Sequence, residues 1–349
     1  MTFERIGVVG LGIMGAGIVE VFAKAGLQVV GVAESDAAVE QGKKNLATSL
    51  GRAVSREKIT QDQADEISGR VTWGTDFELI AECDLVVEAA PEIIALKQQI
   101  FSELDRVVKP EGILASNTSS LSVTAIAQST ERPEQVVGMH FFNPAPVQKF
   151  VEVISTQQSH VDIVEAVTEL ARSIGKSPAT VGDKPGFIVN KLLLTYLNHA
   201  VRLLDDGVAS RETIDSAMRE LARFPMGPLE LLDLIGLDTS VEVLNTIFAD
   251  TGDSLDAPAT GLAALIAEGH KGRKTGSGFY DYSEKHEAPV SSEEELKIHV
   301  HNTLMKAYLQ TARDMNDSGY ASKSDIDMGM KLGCGLPEGP FETMDHFVA

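Results

Sequence analysis

The chain has 349 residues, with 51 acidic and 30 basic side chains and a formal net charge of −21 at neutral pH. Hydrophobic residues make up 43% of it, which is enough for a buried core and argues against disorder, collagen-like repeats and a disulfide scaffold. The acidic excess disfavours nucleic acid or an anionic membrane surface as a general partner, because like charges repel.

The cysteine content and the N-terminal residues both suggest a reducing compartment. The two cysteines, Cys83 and Cys334, form no CxxC pair and no Cys/His cluster at zinc spacing, so we expect no metal site. No basic and apolar leader precedes the first apolar run at 6–9, so we expect a cytoplasmic location. No stretch of about 18 uncharged apolar residues occurs, so we expect no membrane span.

The first half of the chain alternates short β-rich segments with longer segments of helical periodicity. Several β-rich segments are apolar at consecutive positions, as in strands that are buried on both faces. Helical spacing occurs at 37–50 and 92–107. This alternation predicts an α/β fold with a Rossmann-type, doubly wound, mostly parallel sheet. The predicted strands are Ile6–Val9, Val29–Val32, Leu85–Glu88, Ile113–Ser116, Val136–His140 and Phe150–Ile154.

A glycine-rich turn follows the first predicted strand. Gly10, Gly12 and Gly15 form a GxGxxG pattern between that strand and an apolar helix that ends near Gly26. The first glycine permits a tight turn, the second lets a pyrophosphate approach the backbone, and the third lets the helix pack closely. The N–H groups at the helix N-terminus favour phosphate. Because the strand–turn–helix context makes the motif specific, we predict dinucleotide binding; a turn without a ligand is the alternative.

The end of the second predicted strand bears on the choice between NAD and NADP. The acidic residue that usually binds the adenosine ribose is expected at Ala33, and Glu34 follows one position later. No arginine lies nearby in the sequence to bind a 2′-phosphate, and Glu34 would repel one. We therefore predict NAD as the cofactor, with Glu34 near the ribose. Alternatively, Glu34 faces solvent and other groups hold the ribose.

The strongest candidate for acid–base chemistry is His140, at the end of a predicted strand. Ligands bind at the carboxyl ends of strands in open α/β sheets, and histidine exchanges protons near neutral pH. Glu152 follows 12 residues later in the apolar segment 150–154, where a carboxylate is costly unless it is paired. Such a carboxylate would hold the imidazole and stabilise its charged form. A lone histidine is more often a core residue, but the pair on a dinucleotide-binding fold favours catalysis.

Two further polar sites are placed for substrate binding. The segment SNTSS at 116–120 follows a predicted strand, and its side chains are candidates to bind a substrate oxygen or the nicotinamide ribose. The alternative is helix capping by Ser120 or Ser122. Asn190 follows a proline- and glycine-containing hinge at 182–186, which places it to reach an interdomain cleft. On its own, such an asparagine is more often a helix cap than a ligand.

From about residue 186, successive helical patterns predict an all-α domain. The predicted helices cover 190–206, 211–221 and 228–251. The tail then repeats this domain at an offset of 112, since residues 190–233 and 302–345 share 17 identities without a gap. Shared Pro, Gly and Asp positions at a fixed offset indicate an internal duplication whose second copy ends early. Before the second copy, Ser292 and Glu295 predict a helix start with a capping box.

These motifs resemble those of the L-3-hydroxyacyl-CoA dehydrogenases of fatty-acid β-oxidation, over nearly the whole chain. Their number and order make a chance match implausible. The resemblance implies an NAD-dependent enzyme that oxidises (S)-3-hydroxyacyl-CoA reversibly to 3-oxoacyl-CoA. The matching stretches are GLGIMGAGI (10–18), DLVVEA (84–89), SNTSSL (116–121), GMHFFNPAPV (138–147), KFVEVI (149–154), PGFIVN (185–190), PMGPLELLDLIGLD (225–238) and RKTGSGFYDY (273–282).

The resemblance also implies roles for individual residues. His140 would be the general acid/base, oriented by Glu152. Ser119 and Asn190 would hold the 3-oxygen of the substrate. Ser49 and Arg56 match positions that meet coenzyme A in relatives. Met14, Glu92, Lys97, Asn143 and Lys274 would line the cofactor site. Together with the candidates from the glycine turn, the second strand and SNTSS, the predicted cofactor-binding residues are Gly10, Gly12, Met14, Gly15, Glu34, Glu92, Lys97, Asn117, Asn143 and Lys274.

We expect an NAD-binding domain at 1–185, a helical domain at 186–284 and a partial second copy of it at 285–349. Short family members pair through the helical domain, whereas longer multifunctional members carry two copies in one chain. We therefore expect a monomer in which the second copy mimics the partner, with a homodimer as the alternative.

Two other functions compete with this one. A dehydrogenase of a free hydroxy acid, of the gulonate or carnitine type, shares the architecture but tends to lack the asparagine of SNTSS and the HFFNP run. A non-catalytic dinucleotide-binding protein would not need His140 together with Glu152. The asparagine, the HFFNP run and the two residues His140 and Glu152 are all present in this sequence, which favours the acyl-CoA dehydrogenase.

Overall fold

The structure is a computed structural model that describes residues 2–283 and 290–347. It divides into two compact units, Met1–Asp183 and Lys184–Ala349. The predicted domain boundary between residues 284 and 285 lies outside the described residues. Within the described ranges, no helix is both long enough and apolar enough to cross a membrane.

The first unit is built on an eight-stranded sheet, which confirms the Rossmann-type, mostly parallel prediction. In space the strands follow the order β3-β2-β1-β4-β5-β6-β7-β8, and all neighbours pair in parallel except β6 and β7. The central strands β4, β5 and β6 are buried along their whole length. In chain order the strands are β1 (Arg5–Val9), β2 (Gln28–Val32), β3 (Val71–Gly74), β4 (Leu85–Glu88), β5 (Ile113–Ser116), β6 (Val136–Phe141), β7 (Phe150–Ser155) and β8 (Ser177–Gly182).

Helices connect these strands, and their apolar faces supply much of the core. Phe22 and Phe101, on the first and fourth helices, are completely buried. Ser35 begins the second helix by accepting a hydrogen bond from the amide of Ala38. In the described part of the first unit the helices are α1 (Ile13–Lys24), α2 (Asp36–Ser55), α3 (Gln61–Gly69), α4 (Ile94–Val107), α5 (Val123–Ala127) and α6 (Val161–Ser173).

Two strands, β3 and β8, were not predicted from the sequence. Both lie at the edges of the sheet. β3 has only four residues and is partly exposed, so it lacks an apolar run. β8 contains Pro178, which removes a backbone donor and is tolerated at a sheet edge.

The second unit is helical, and two details differ from the sequence prediction. The segment predicted as one helix at 228–251 is two, because the chain turns at Gly236 with φ +105°. The predicted capping box of Ser292 and Glu295 is wrong: Glu293 occupies the cap position, and its side chain makes no capping hydrogen bond. The helices described are α7 (Val189–Asp205), α8 (Arg211–Glu220), α9 (Pro228–Ile235), α10 (Leu237–Thr251), α11 (Thr260–Ala267), α12 (Glu294–Asp317), α13 (Lys323–Cys334) and α14 (Pro340–Met344).

The duplication is visible in matching side-chain contacts 112 positions apart. Asp215 accepts a hydrogen bond from the amide of Leu229, and Asp327 accepts one from the amide of Phe341, each at 2.8 Å. In both copies an aspartate of one helix therefore satisfies the free N–H groups at the start of the next helix.

The two copies meet through equivalent tyrosines. The rings of Tyr196 and Tyr308, which are 112 residues apart, lie edge to face with centroids 5.9 Å apart. Contact between a residue and its own counterpart is typical of a two-fold arrangement, because only positions near the axis meet their counterparts. Both tyrosines also line a cavity of about 510 Å³ that involves α7, α10 and α12.

Candidate active site

The predicted phosphate-binding turn lies between β1 and α1. Gly10 has φ +88°, and a Cβ atom there would lie 2.8 Å from the backbone of Ala89. A Cβ atom at Gly15 would lie 1.7 Å from the carbonyl oxygen of Gly10. At Gly12, in contrast, a Cβ atom would meet nothing within 4 Å, and no side chain caps the helix. The turn therefore has the open space and the uncapped N–H groups that the diphosphate of NAD requires.

The residues predicted to contact the rest of the dinucleotide follow this turn and β2. Met14 is half-buried in the first turn of α1. Ala33 is buried, and its amide donates to the carbonyl oxygen of Gly74. Glu34 comes next and is exposed. The role of Glu34 at the ribose stays a prediction.

His140 and Glu152 are direct cross-strand neighbours in the antiparallel pair β6–β7. Oε2 of Glu152 lies 2.6 Å from Nδ1 of His140, and the two side chains are 0% and 6% exposed. A carboxylate accepts hydrogen bonds, so this pairing favours the ring tautomer in which Nδ1 is the donor and Nε2 is the acceptor. The structure thus brings together the pair that the sequence predicted.

The segment after β5 places Ser119 against the other ring nitrogen of His140. Oγ of Ser119 lies 3.2 Å from Nε2, within hydrogen-bond distance, and its hydroxyl is the donor in that tautomer. Oδ1 of Asn117 accepts the amide of Phe141 at 2.8 Å, which fixes this segment to β6. Ser122 caps α5 by accepting the amide of Ala125, so the capping alternative holds for Ser122.

Glu92 and Lys97 lie behind Ser119. Oε1 of Glu92 accepts hydrogen bonds from the hydroxyl of Thr118 at 2.6 Å and from the amide of Ser119 at 2.8 Å. Burial raises the pKa of Glu92, but the charge of Lys97 and these hydrogen bonds outweigh it, so the pKa lies below its ordinary value. Lys97 is itself 0% exposed and forms an ion pair with Glu88.

Other predicted residues of the first unit are not part of this cluster. Asn143 is exposed just after β6, and Arg56 is exposed at the end of α2. Ser49 lies on α2, near Glu20 of α1. Burial raises the pKa of Glu20, and the nearby Ser49 hydroxyl opposes the shift.

Two predicted residues belong to the second unit. Asn190 is the second residue of α7 and is half-buried. Lys274 forms an ion pair with Asp238 of α10. The predicted contacts of Asn190 with the substrate and of Lys274 with the cofactor stay predictions.

The buried carboxylate of Glu88, which pairs with Ser116 of the SNTSS segment, was not among the residues predicted from the sequence. These residues face each other at the ends of β4 and β5, and Oε2 of Glu88 accepts the Ser116 hydroxyl at 2.7 Å. A signal was available, because Glu88 ends an apolar strand and a buried carboxylate needs partners. Across residues 2–283 and 290–347, no group of three or more His, Cys, Asp or Glu side chains could hold a metal ion.

Comparison with known proteins places both units in one family. Residues 5–184 match the model "3-hydroxyacyl-CoA dehydrogenase, NAD binding domain", and residues 186–282 and 299–348 both match its C-terminal-domain model. The two matches of the C-terminal model agree with the duplication.

Individual relatives and structures carry related names. The chain is 42% identical over 278 residues to a probable 3-hydroxybutyryl-CoA dehydrogenase of Deinococcus radiodurans, covering 80% of this chain and 100% of the relative. It is 41% identical over 294 residues to the 3-hydroxyadipyl-CoA dehydrogenase of Escherichia coli K12, covering 84% of this chain and 62% of the relative. A crystal structure of 3-hydroxybutyryl-CoA dehydrogenase from Escherichia coli K12 matches with a TM-score of 0.91 at 30% identity, covering 97% of this chain and 90% of that one.

Proposed function

The chain belongs to the 3-hydroxyacyl-CoA dehydrogenase family of NAD-dependent oxidoreductases, and from this premise we propose that it oxidises (S)-3-hydroxyacyl-CoA reversibly to 3-oxoacyl-CoA. The observation that carries the proposal is the chain of hydrogen bonds from Glu152 through His140 to Ser119. It lies at the carboxyl ends of the strands, where ligands bind in open α/β sheets.

Oxidation of a secondary alcohol requires a base for the hydroxyl proton and an acceptor for the hydride. NAD supplies the hydride acceptor when it is bound. His140 takes the hydroxyl proton at Nε2, since Nδ1 already donates to Glu152. The imidazolium that forms is stabilised by the carboxylate of Glu152. When substrate binds, its 3-hydroxyl takes the place of the Ser119 hydroxyl at Nε2, and Ser119 donates to the 3-oxygen instead. In the reverse direction the same groups return the proton.

The positions of the remaining substrate and cofactor contacts are part of the proposal and come from the family resemblance. Asn190 joins Ser119 at the 3-oxygen. The glycine turn, Met14, Glu34, Glu92, Asn117, Asn143 and Lys274 surround NAD. Ser49 and Arg56 contact coenzyme A. The basic segment that would attract its phosphates contains Lys43, Lys44, Arg52, Arg56 and Lys58.

A substrate panel tests the reaction. NADH or NADPH formation is followed with 3-hydroxybutyryl-CoA, a longer homologue, 3-hydroxyadipyl-CoA and free 3-hydroxybutyrate, each with NAD and with NADP. We expect turnover of thioesters with NAD. Turnover of the free acid alone would overturn the proposal in favour of a free-acid dehydrogenase, and no turnover of any substrate would favour a non-catalytic dinucleotide-binding protein.

The role of His140 is tested with a matched histidine control. His140→Ala should lower kcat by about 10²–10⁴-fold, the usual contribution of general acid–base catalysis. The control is His160→Ala, because His160 is 59% exposed at the start of α6 and is not part of the hydrogen-bond chain. Near-normal turnover in His140→Ala would exclude the proposed mechanism.

A further inference from the structure

A completely buried ion pair lies behind Ser119 and takes no part in the proton transfer. Nζ of Lys97 lies 2.7 Å from Oε1 of Glu88, and both side chains are 0% exposed. Nζ also donates to the carbonyl oxygen of Ala90 at 3.2 Å, and Glu88 accepts the amide of Ala90 at 2.6 Å. Apolar residues of similar volume would often stabilise a fold as well as a buried ion pair does. A gain in stability therefore does not explain the pair, and its effect on the position of neighbouring groups is the feature to explain.

Glu92 connects the pair to the catalytic segment. Its Oε2 lies 3.4 Å from Nζ of Lys97, while its Oε1 accepts the hydroxyl of Thr118 and the amides of Ser119 and Ser120. The Glu92 side chain is 37% exposed, and Lys97 holds its second oxygen on the buried side. Lys97 thus helps to fix the carboxylate to which the backbone of Ser119 is bonded.

The placement of Ser119 matters because its hydroxyl donates to Nε2 of His140 at 3.2 Å. A misplacement of about 1 Å in such a group can lower turnover by about 10²-fold. Contacts therefore hold the imidazole of His140 at both ring nitrogens. Glu152 on β7 holds Nδ1, and the series of contacts Glu88–Lys97–Glu92 holds the serine beside Nε2.

We propose that Glu88 and Lys97 are positioning residues that hold Ser119 against His140 by acting through Glu92. This inference rests on the proposed function, and it adds a positioning role for Lys97 to the cofactor contact that the family resemblance implies. Since Lys97 has no exposed side-chain surface, it can act on Ser119 only through the groups that it holds.

A double-mutant cycle tests this chain of contacts. Lys97→Met should lower kcat by about 10²-fold when Ser119 is present, and by less than about threefold in a Ser119→Ala background, because a residue acts only once through a shared partner. Because Glu92 is also a proposed NAD contact, kcat is measured at saturating NAD, so that a weaker cofactor site does not enter the comparison. A crystal structure of Lys97→Met should show a longer Ser119 Oγ–His140 Nε2 distance.

The control is Lys109→Met, which removes a lysine that pairs with Asp84 at 2.6 Å at the other end of β4. Its kcat should equal that of the wild type. Equal losses of kcat from Lys97→Met with and without Ser119, at saturating NAD, would overturn the proposal.

Removing one partner of a buried ion pair can prevent folding, so a second route avoids an unpaired charge. The double variant Glu88→Gln/Lys97→Met removes both charges, and Glu92→Gln breaks the chain at its partly exposed end. In both variants the loss of kcat should be large with Ser119 and small in the Ser119→Ala background. Losses of kcat that simply add to that of Ser119→Ala, in either variant, would overturn the proposal. A wild-type chain that turns over no 3-hydroxyacyl-CoA would refute the proposed function instead. If the wild type is active and the losses of kcat in the variants add to that of Ser119→Ala, only this inference is refuted.

Discussion

Replacing Glu152 with glutamine would remove the charge beside His140 and keep a hydrogen-bond acceptor of the same shape. Oε2 of Glu152 and Nδ1 of His140 are 2.6 Å apart, in a part of the sheet that is almost completely buried. Because both charges are spread over several atoms, we take a separation of about 4 Å, which gives about 4 kcal/mol at an effective dielectric constant of about 20. If imidazolium forms in the transition state, this energy corresponds to a loss of about 10³-fold in kcat.

The assay is steady-state NADH formation from 3-hydroxybutyryl-CoA, with NADH affinity and the melting temperature as controls. Neither control should change much, because the glutamine occupies the same volume. In a His140→Ala background the same substitution should have no further effect, since Glu152 acts through the imidazole. A Glu152→Gln enzyme whose kcat stays within about threefold of the wild type would refute the reasoning, because no charge on His140 would then need stabilising.

Three further predictions concern the turn, the helical unit and the assembly. Gly12→Ala should leave the melting temperature unchanged and weaken NADH binding at least about tenfold, whereas Gly15→Ala should lower the melting temperature. Equal changes of the melting temperature in the two variants would contradict this. Burial raises the pKa of Asp215 from 3.8 to about 7, so the native state holds this proton more tightly. The free energy of unfolding should therefore fall by about 4 kcal/mol as pH rises from about 4 to 7, and Asp215→Asn should remove this slope. Light scattering should give a 37.4 kDa monomer, because Tyr308 already occupies the face of Tyr196; a dimer joined through that face would refute this.

The sequence predicted the fold wherever the local pattern is strong. The buried strands Leu85–Glu88 and Ile113–Ser116 were predicted with their observed bounds, because continuous apolar runs between polar segments are typical of central parallel strands. The edge strand β3 has no such run, and β8 contains a proline. The break at Gly236 was missed because apolar periodicity continues across it, and only the positive φ angle separates α9 from α10.

For the candidate site, the sequence gives residue types but not their contacts. Glu152 was predicted to pair with His140 because both lie in apolar segments at the end of the predicted sheet. Their antiparallel pairing, which makes them direct neighbours, could not be predicted from a spacing of 12 residues. The hydrogen bond between Ser119 and Nε2 depends on the loop after β5, whose Thr118 hydroxyl and Ser119 amide bond to Glu92, and such contacts between distant residues are not visible in local propensity.

The rule that a buried carboxylate needs a polar partner identified Glu152 from the sequence but did not identify Glu88. Each is a carboxylate with no exposed surface on a strand of otherwise apolar residues, so each must have a polar partner. The partner of Glu152 was a histidine, which attracts notice as a catalytic residue, whereas the partner of Glu88 is a lysine nine positions later in α4, where a charged residue normally faces solvent. A buried carboxylate at the carboxyl end of a strand is thus evidence for a buried cation nearby, and the helix that follows the strand is where to look for it. In this chain the buried carboxylate of Glu88 points to Lys97, whose role in positioning the catalytic residues stays a proposal.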